Sequence, residues 1–363
     1  MKQSIKFLLL LLWACNTLSQ KPALKQNEKP WQVVLAPVGL LYVLEDSEKK
    51  IMLLSGDKIS NLSRVHLLED AEVVFYHEEM GYFKELSKKG NYRMQDLLPK
   101  SASIVSDAAK NARSVIAQEI IAVQQIDTTK IPRRTYGLIN EERCPLPDVL
   151  LYSCTEISCS TGSLKFFSDS LRMFFYVRRD VDSKAISLIN FSLQSVLNKT
   201  IVEKKMIGAA LAKEYFFLDY NKVIQQDEDL QKYGVFLITI EPQAKDFEHS
   251  YLTNNTYTLE RADSSERSVV ERLLVQAAFE EDSAFELLAK GRFLELLNYP
   301  LEAVDCYKRA IEMKPESAWA ELFDQENMQR VRMELVEPNF TIFSLHQSAE
   351  RKQYLKEIYL NRK

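Results

Sequence analysis

Pro300-Leu301-Glu302-Ala303-Val304-Asp305-Cys306-Tyr307-Lys308-Arg309-Ala310-Ile311-Glu312-Met313-Lys314-Pro315 reads as one helix bracketed by two prolines. Pro300 suits a first turn, where the N–H it lacks has no intrahelical partner. Pro315 stops the helix, because its ring and missing donor break the hydrogen-bond ladder. Ala303 and Ala310 are seven positions apart and share a face. Their small side chains predict close approach of a neighbouring helix, with Tyr307 filling the space between turns. Cys306 falls on the buried side and reads as a small core residue.

Working outward, Ser283-Ala284-Phe285-Glu286 is a capping-box sequence that opens a preceding helix. Asp263-Ser264-Ser265-Glu266 opens another, with Val269, Val270, Leu273, Leu274, Ala277 and Ala278 on one face. The Ala303, Tyr307, Ala310, Pro315 spacing resembles the second helix of a tetratricopeptide repeat, and Gly291 stands where that family brings its two helices closest. The resemblance implies a helical module over 263–363 that binds a protein partner. One repeat cannot bury its own apolar faces, so neighbouring helices must cover it. The helix from about Ser265 and a stretch from about Pro315 to Leu335 are the expected covers. A basic, aromatic-containing tail follows over Lys352 to Lys363.

Before residue 263 the period changes to two. Leu171, Met173, Phe175 and Val177 alternate with Arg172, Phe174, Tyr176 and Arg178, and Ile189, Phe191 and Leu193 alternate with polar residues. Tyr215–Leu218 and Val235–Ile240 read as buried strands. The string resembles an immunoglobulin-like antiparallel sandwich over 127–262. Residues 99–126 read as a linker helix with a polar face carrying Asp107, Lys110, Arg113 and Glu119. From Trp31 to Leu97, short β-rich runs are separated by turn signals such as Ser55-Gly56-Asp57 and Lys89-Gly90-Asn91. The order Gly56-Asp57-Lys58-Ile59, then Asp70-Ala71-Glu72-Val73-Val74-Phe75, then Gly81-Tyr82-Phe83 resembles the extracytoplasmic β domain of iron-dicitrate-sensor (FecR-like) proteins. That resemblance covers 31–98 and implies a small β domain. The expected fold class is therefore multidomain α+β. It runs from the N-terminal β domain through a linker helix and a β-sandwich-like middle domain to a tetratricopeptide-like helical C-terminus.

At the N-terminus, Lys2 and Lys6 precede an apolar run from Phe7 to Trp13. A charged start before a short apolar segment is the pattern of a secretory signal, here over 1–19. Leu12-Trp13-Ala14-Cys15 resembles a bacterial lipobox, which implies lipidation of Cys15. The rival is ordinary cleavage near Thr17-Leu18-Ser19. Residues 20–30, with Lys21, Lys25 and Lys29, read as a solvated tether. The expected location is the cell envelope, lipid-anchored at the outer membrane, or else periplasmic or secreted.

Across 363 residues, 46% are hydrophobic and 27% charged, the balance of a folded chain rather than a disordered one. The 47 basic and 51 acidic residues give a net charge of -4, so no global positive field exists to hold nucleic acid. Only 9 glycines occur, against a usual share of about 7%, which leaves few places for backbone to wrap a phosphate. No dinucleotide, phosphate-loop, zinc-protease or serine-hydrolase motif is present. His66, His77, His249 and His346 lack metal-ligand spacing and read as surface or half-buried residues. Cys154 and Cys159 flank a β turn and form a candidate disulfide, with Cys144 as the other candidate partner. No catalytic, metal or cofactor-binding residue is assigned. The expected function is a non-catalytic interaction or scaffold protein with a protein partner in the envelope. The alternatives are a regulatory or sensor component of envelope signalling and a hydrolase with an unrecognised acidic site. Cys15→Ala should move the protein from the membrane to the soluble fraction, and labelled fatty acid should mark wild type only; a membrane-bound wild type without label would overturn the anchor.

Overall fold

A computed structural model describes residues 29–45, 49–99, 106–125, 149–151, 164–177, 186–195, 200–207, 215–226, 234–244, 255–317 and 319–320. The lipobox, the tether up to residue 28, Cys144, Cys154, Cys159, His249, His346 and the tail over 352–363 lie outside them. The protein is mixed α+β, with several antiparallel sheets and a set of helices. It divides into two compact units, the first of residues 1–79 with 84–100 and the second of 80–83 with 101–363.

Over residues 31–93, all in the first unit except 80–83, eight strands follow in order: β1 (Trp31–Leu35), β2 (Leu41–Glu45), β3 (Lys49–Met52), β4 (Lys58–Ile59), β5 (Arg64–Leu67), β6 (Val73–His77), β7 (Tyr82–Leu86) and β8 (Gly90–Arg93). They form two four-stranded sheets, β4-β1-β6-β7 and β3-β2-β5-β8. The turn signal at Ser55-Gly56-Asp57 is used as such. Gly56 takes φ +100, which a side chain would oppose, and the Asp57 carboxylate accepts the Leu54 N–H at 2.8 Å. Trp31, Val33 and Phe75 in one sheet, and Leu41, Val65 and Leu67 in the other, are fully buried. His77 is fully buried as well, edge-on to Trp31 with ring centroids 4.8 Å apart. This corrects the expectation of a surface or half-buried histidine. Strand β6 is covered on both faces, so its period-two alternation carries no outward side.

The second unit has a sheet pair and a helical layer. Strands β10 (Leu164–Phe166), β12 (Ile186–Ser195), β13 (Thr200–Ile207), β15 (Val235–Ala244) and β16 (Asn255–Arg261) make a five-stranded sheet in the order β10-β16-β15-β12-β13. Strands β9 (Val149–Leu151), β11 (Ser170–Val177) and β14 (Tyr215–Asp219) make a three-stranded one in the order β14-β11-β9. The alternating residues Leu171, Met173 and Phe175 share one core with Ile189, Phe191 and Leu193 of the larger sheet. The Phe175 and Phe191 rings lie 4.5 Å apart across it. One feature departs from an all-antiparallel string: β10 runs parallel to β16 at the sheet edge. A parallel pair needs a long crossover, and residues 167–254 lie between these two strands.

The helices are α1 (Asp107–Gln125), a short α2 (Tyr220–Ile224), α3 (Ser264–Ala277), α4 (Ala284–Leu296) and α5 (Pro300–Met313). Asp263 caps α3 by accepting the N–H groups of Ser265 and Glu266. Ser283 caps α4 by accepting that of Glu286. Helix α4 is buried nearly all round, because α1 and α5 both pack on it. Helix α5 also packs on β10 and β11, and its Leu301 belongs to the core between the two sheets.

At the α4–α5 crossing, a Cβ on Gly291 would lie 2.6 Å from Tyr307 Cε1 and 3.0 Å from the Ala303 carbonyl oxygen. The crossing is therefore set by a missing side chain. Gly291→Ala should destabilise the protein by about 1–3 kcal/mol through this overlap, more than offsetting alanine's helix preference. Tyr307→Ala should cost roughly 3 kcal/mol or more by leaving a cavity. In the Tyr307→Ala background the Gly291→Ala penalty should shrink to the part due to the Ala303 carbonyl, which chemical denaturation of the four proteins in the cycle would measure.

Candidate functional site

The most concentrated polar chemistry in the second unit sits where helices meet one another and the sheets. Arg113 projects from the middle of α1. It lies within the stripe Ala109, Ala112, Ile116, Ala117 and Ile120, all fully buried, and is itself 2% exposed. This corrects its expected place on a polar face. Its Nε donates to both carboxylate oxygens of Glu286 at 2.9 Å, and Nη2 donates to Oε2 at 2.7 Å. Nη2 also donates to the carbonyls of Ala277 and Ala278 at 3.0 and 3.3 Å. Those carbonyls end α3, where Ala278 takes the left-handed conformation with φ 51. A cation there meets the negative end of the helix dipole. The guanidinium also lies 4.6 Å from the centre of the Phe279 ring. Burial pushes the Glu286 carboxyl above its usual range, while Arg113 pulls it back.

A second polar cluster joins α5 to the sheets. Glu302, 5% exposed, accepts the N–H groups of Phe167 and Ser168 at 2.7 and 3.1 Å on Oε1. Its Oε2 is buried with no hydrogen-bond partner among the described residues. One turn on, Asp305 accepts from Arg172 Nε at 2.5 Å, and Glu312 accepts from Arg172 Nη1 at 3.1 Å. Arg172 also lies 5.4 and 5.2 Å from the ring centres of Phe174 and Tyr215. Burial raises the Asp305 carboxyl, and Arg172 opposes the rise. Beside this, Asp169 accepts from both Arg261 and Arg267, and Arg261 lies 3.9 Å from the centre of the Tyr220 ring. Arg267 first, against its own burial, holds the Asp169 carboxyl below the usual range.

The residues singled out in the sequence fall at the α4–α5 packing. Ala303, Tyr307 and Ala310 are buried, Gly291 meets Tyr307, and Pro315 follows the end of α5 at Lys314. Cys306 is a buried free thiol whose pKa burial pushes up to about 12, so it stays protonated and is a poor nucleophile at neutral pH. His66 shares a hydrogen bond of 2.5 Å with Asn91 Oδ1. Among the described residues, no three His, Cys, Asp or Glu side chains are grouped to hold a metal ion. Sequence reasoning missed Arg113, Glu286 as its partner, and Glu302. The signal for Arg113 was its position inside an apolar helical stripe, where a charged residue must find a buried partner.

No protein-family profile, curated protein or solved structure matches the chain.

The pKa of Glu302 is raised by burial from 4.5 to about 7, with the two backbone N–H groups opposing the rise. The folded state therefore holds a proton that the unfolded chain releases between those values. This contribution to stability is complete below about pH 4.5, falls as pH rises to about 7, and is level above it. Glu302→Gln should remove that fall. Urea midpoints measured from pH 5 to 8 check it, and parallel wild-type and variant profiles would overturn it.

Proposed function

We propose that the chain is a non-catalytic interaction or scaffold protein, exported and held at the cell envelope through lipidated Cys15, that binds a protein partner. The observation that carries this reading is how the carboxylates at the element junctions, buried and half-buried, are used. Glu286, Glu302, Asp305 and Asp169 are each engaged by an arginine or by backbone N–H groups that fasten one element to another. Such groups build a rigid frame for a surface, not a set of acids and bases converging on a substrate. The tetratricopeptide-like pairing of α4 with α5, the FecR-like reading of the first unit and the immunoglobulin-like reading of the middle sheets belong to the same proposal. Support for the first comes from the Gly291–Tyr307 contact, and for the second from the two four-stranded sheets. Among the described residues no helix is long and apolar enough to cross a membrane. The reading places the membrane attachment at Cys15 instead.

The test is site-specific photo-crosslinking of the full chain in its native envelope, with the reactive amino acid placed in turn at exposed positions of both units. Discrete adducts with a protein, confined to one surface and lost on competition with excess purified chain, are expected. Absence of an adduct from every position would overturn the reading.

A further inference from the structure

The cross-strand registers of the first unit define a solvent-facing surface that the strand pattern alone does not reveal. Strand β2 is central, paired with β3 and β5, and β5 pairs with β8. Residues directly opposite in such pairs project to the same face. Leu41 and Val43 project inward with Leu67 and Val65, all buried. Tyr42 and Leu44 therefore project outward. Opposite Tyr42 stand Met52 and His66, and opposite Leu44 stand Lys50 and Arg64, with Arg93 opposite Arg64. The outward row continues past the strand end at Leu40, whose carbonyl accepts the Leu68 N–H at 3.0 Å.

This face is unusual in two ways. Antiparallel sheets with one solvated side normally show polar residues there. Here Met52, Leu54 and Leu68 are 40%, 42% and 39% exposed, and Val38 in the adjoining turn is 78% exposed. At the opposite end, Lys50, Arg64 and Arg93 stand in one row, and no ion pair to any of them occurs among the described residues. Like charges directly opposite each other weaken a sheet, so this row is a standing penalty in the isolated fold. Apolar surface at one end and uncompensated cations at the other have one complement in common.

We propose that the outward face of the β3-β2-β5-β8 sheet docks a protein segment carrying large apolar side chains at one end and acidic residues at the other. The inference rests on the interaction reading above and gives it a surface and a partner chemistry. The apolar residues cover Leu40, Tyr42, Met52 and Leu54, and the acidic ones neutralise Arg64 and Arg93. A bilayer fits less well. Glu69 is exposed next to Leu68, so the apolar end that would insert carries negative charge, and the cations stand at the far end of the face. A second copy also fits less well, because the outward residues of the four strands include no carboxylate and Glu69 stands beyond the strand ends, at the apolar side.

The probe is a synthetic 12-residue peptide with an acidic block followed by a Leu/Phe block, tested on the full chain by fluorescence anisotropy. Saturable binding is expected, weakened tenfold or more by Arg64→Glu and, separately, by Leu54→Asp. A peptide with lysines in place of its acids should not bind. Arg93→Gln should weaken binding yet raise the thermal midpoint, since it relieves the Arg64–Arg93 repulsion; this second readout holds whether or not the other variants fold well. Equal binding of the lysine peptide would overturn the proposal. So would capture of the chain on vesicles of phosphatidylcholine and phosphatidylglycerol that Leu54→Asp abolishes while Cys15 is intact, or a dimer in sedimentation that Arg93→Gln dissolves. In the crosslinking experiment, adducts at Phe217 or Val275 with none at Leu54 would remove this surface and leave the interaction reading standing. No adduct anywhere would remove both.

Discussion

The second unit depends on the ion pair between Arg113 and Glu286. It closes 173 residues of sequence with one buried, doubly bonded contact. On one side is a guanidinium that no longer sees water; on the other is a carboxylate in the first turn of α4. Each would be strongly unfavourable alone, and removing one partner of such a pair typically costs about 3–5 kcal/mol. The same guanidinium takes the last carbonyls of α3, so one side chain fixes three helices. The apolar contacts around it, Ala109, Ala112, Ala277 and Phe293, supply the close packing. Three of the four are alanines, whose small side chains many registers would accept. The charge pair accepts only one.

Helix α5 plays the corresponding part between the helical layer and the sheets. One side meets α4 through Ala303 and Tyr307. Another sends Glu302 to the backbone of the β10–β11 turn and Asp305 to Arg172 on β11. Leu301 at its start enters the sheet core. The helix is thus held by apolar burial, which does not choose an orientation, and by directional bonds, which do. Glu302 carries the strain in this arrangement, because one oxygen has two donors and the other has none among the described residues. The element that most resembles a free-standing binding repeat is in this protein a structural bridge. Its α4-facing and sheet-facing sides are occupied, and the proposed docking face lies elsewhere.

The proposed face lies in the first unit. Its inner residues are those expected of a small β fold, but its outer face combines apolar side chains with arginines that have no ion-pair partner among the described residues. Sequence order hid this. Lys50, Arg64 and Arg93 lie on three different strands, and only the registers place them in one row. The sheet tolerates their repulsion because the buried faces of both sheets supply enough apolar stabilisation to hold the strands in place.

The sequence by itself determined the local structure. Proline and capping residues set the ends of α3, α4 and α5, because those effects act within a few residues. Period-two alternation marked the inward faces of β11 and β12, and small residues marked the α4–α5 contact. Only the tertiary structure decided which elements meet. It buried Arg113 and His77, brought α1 onto α4, and ran β10 parallel to β16. It also turned the two capping-box glutamates outward from their caps, Glu266 to Lys165 and Glu286 to Arg113. Each of these depends on partners scores of residues away. A charged side chain looks the same in sequence whether it ends in water or in a buried pair. The difference is made by desolvation, which acts only once the surrounding elements have closed around it.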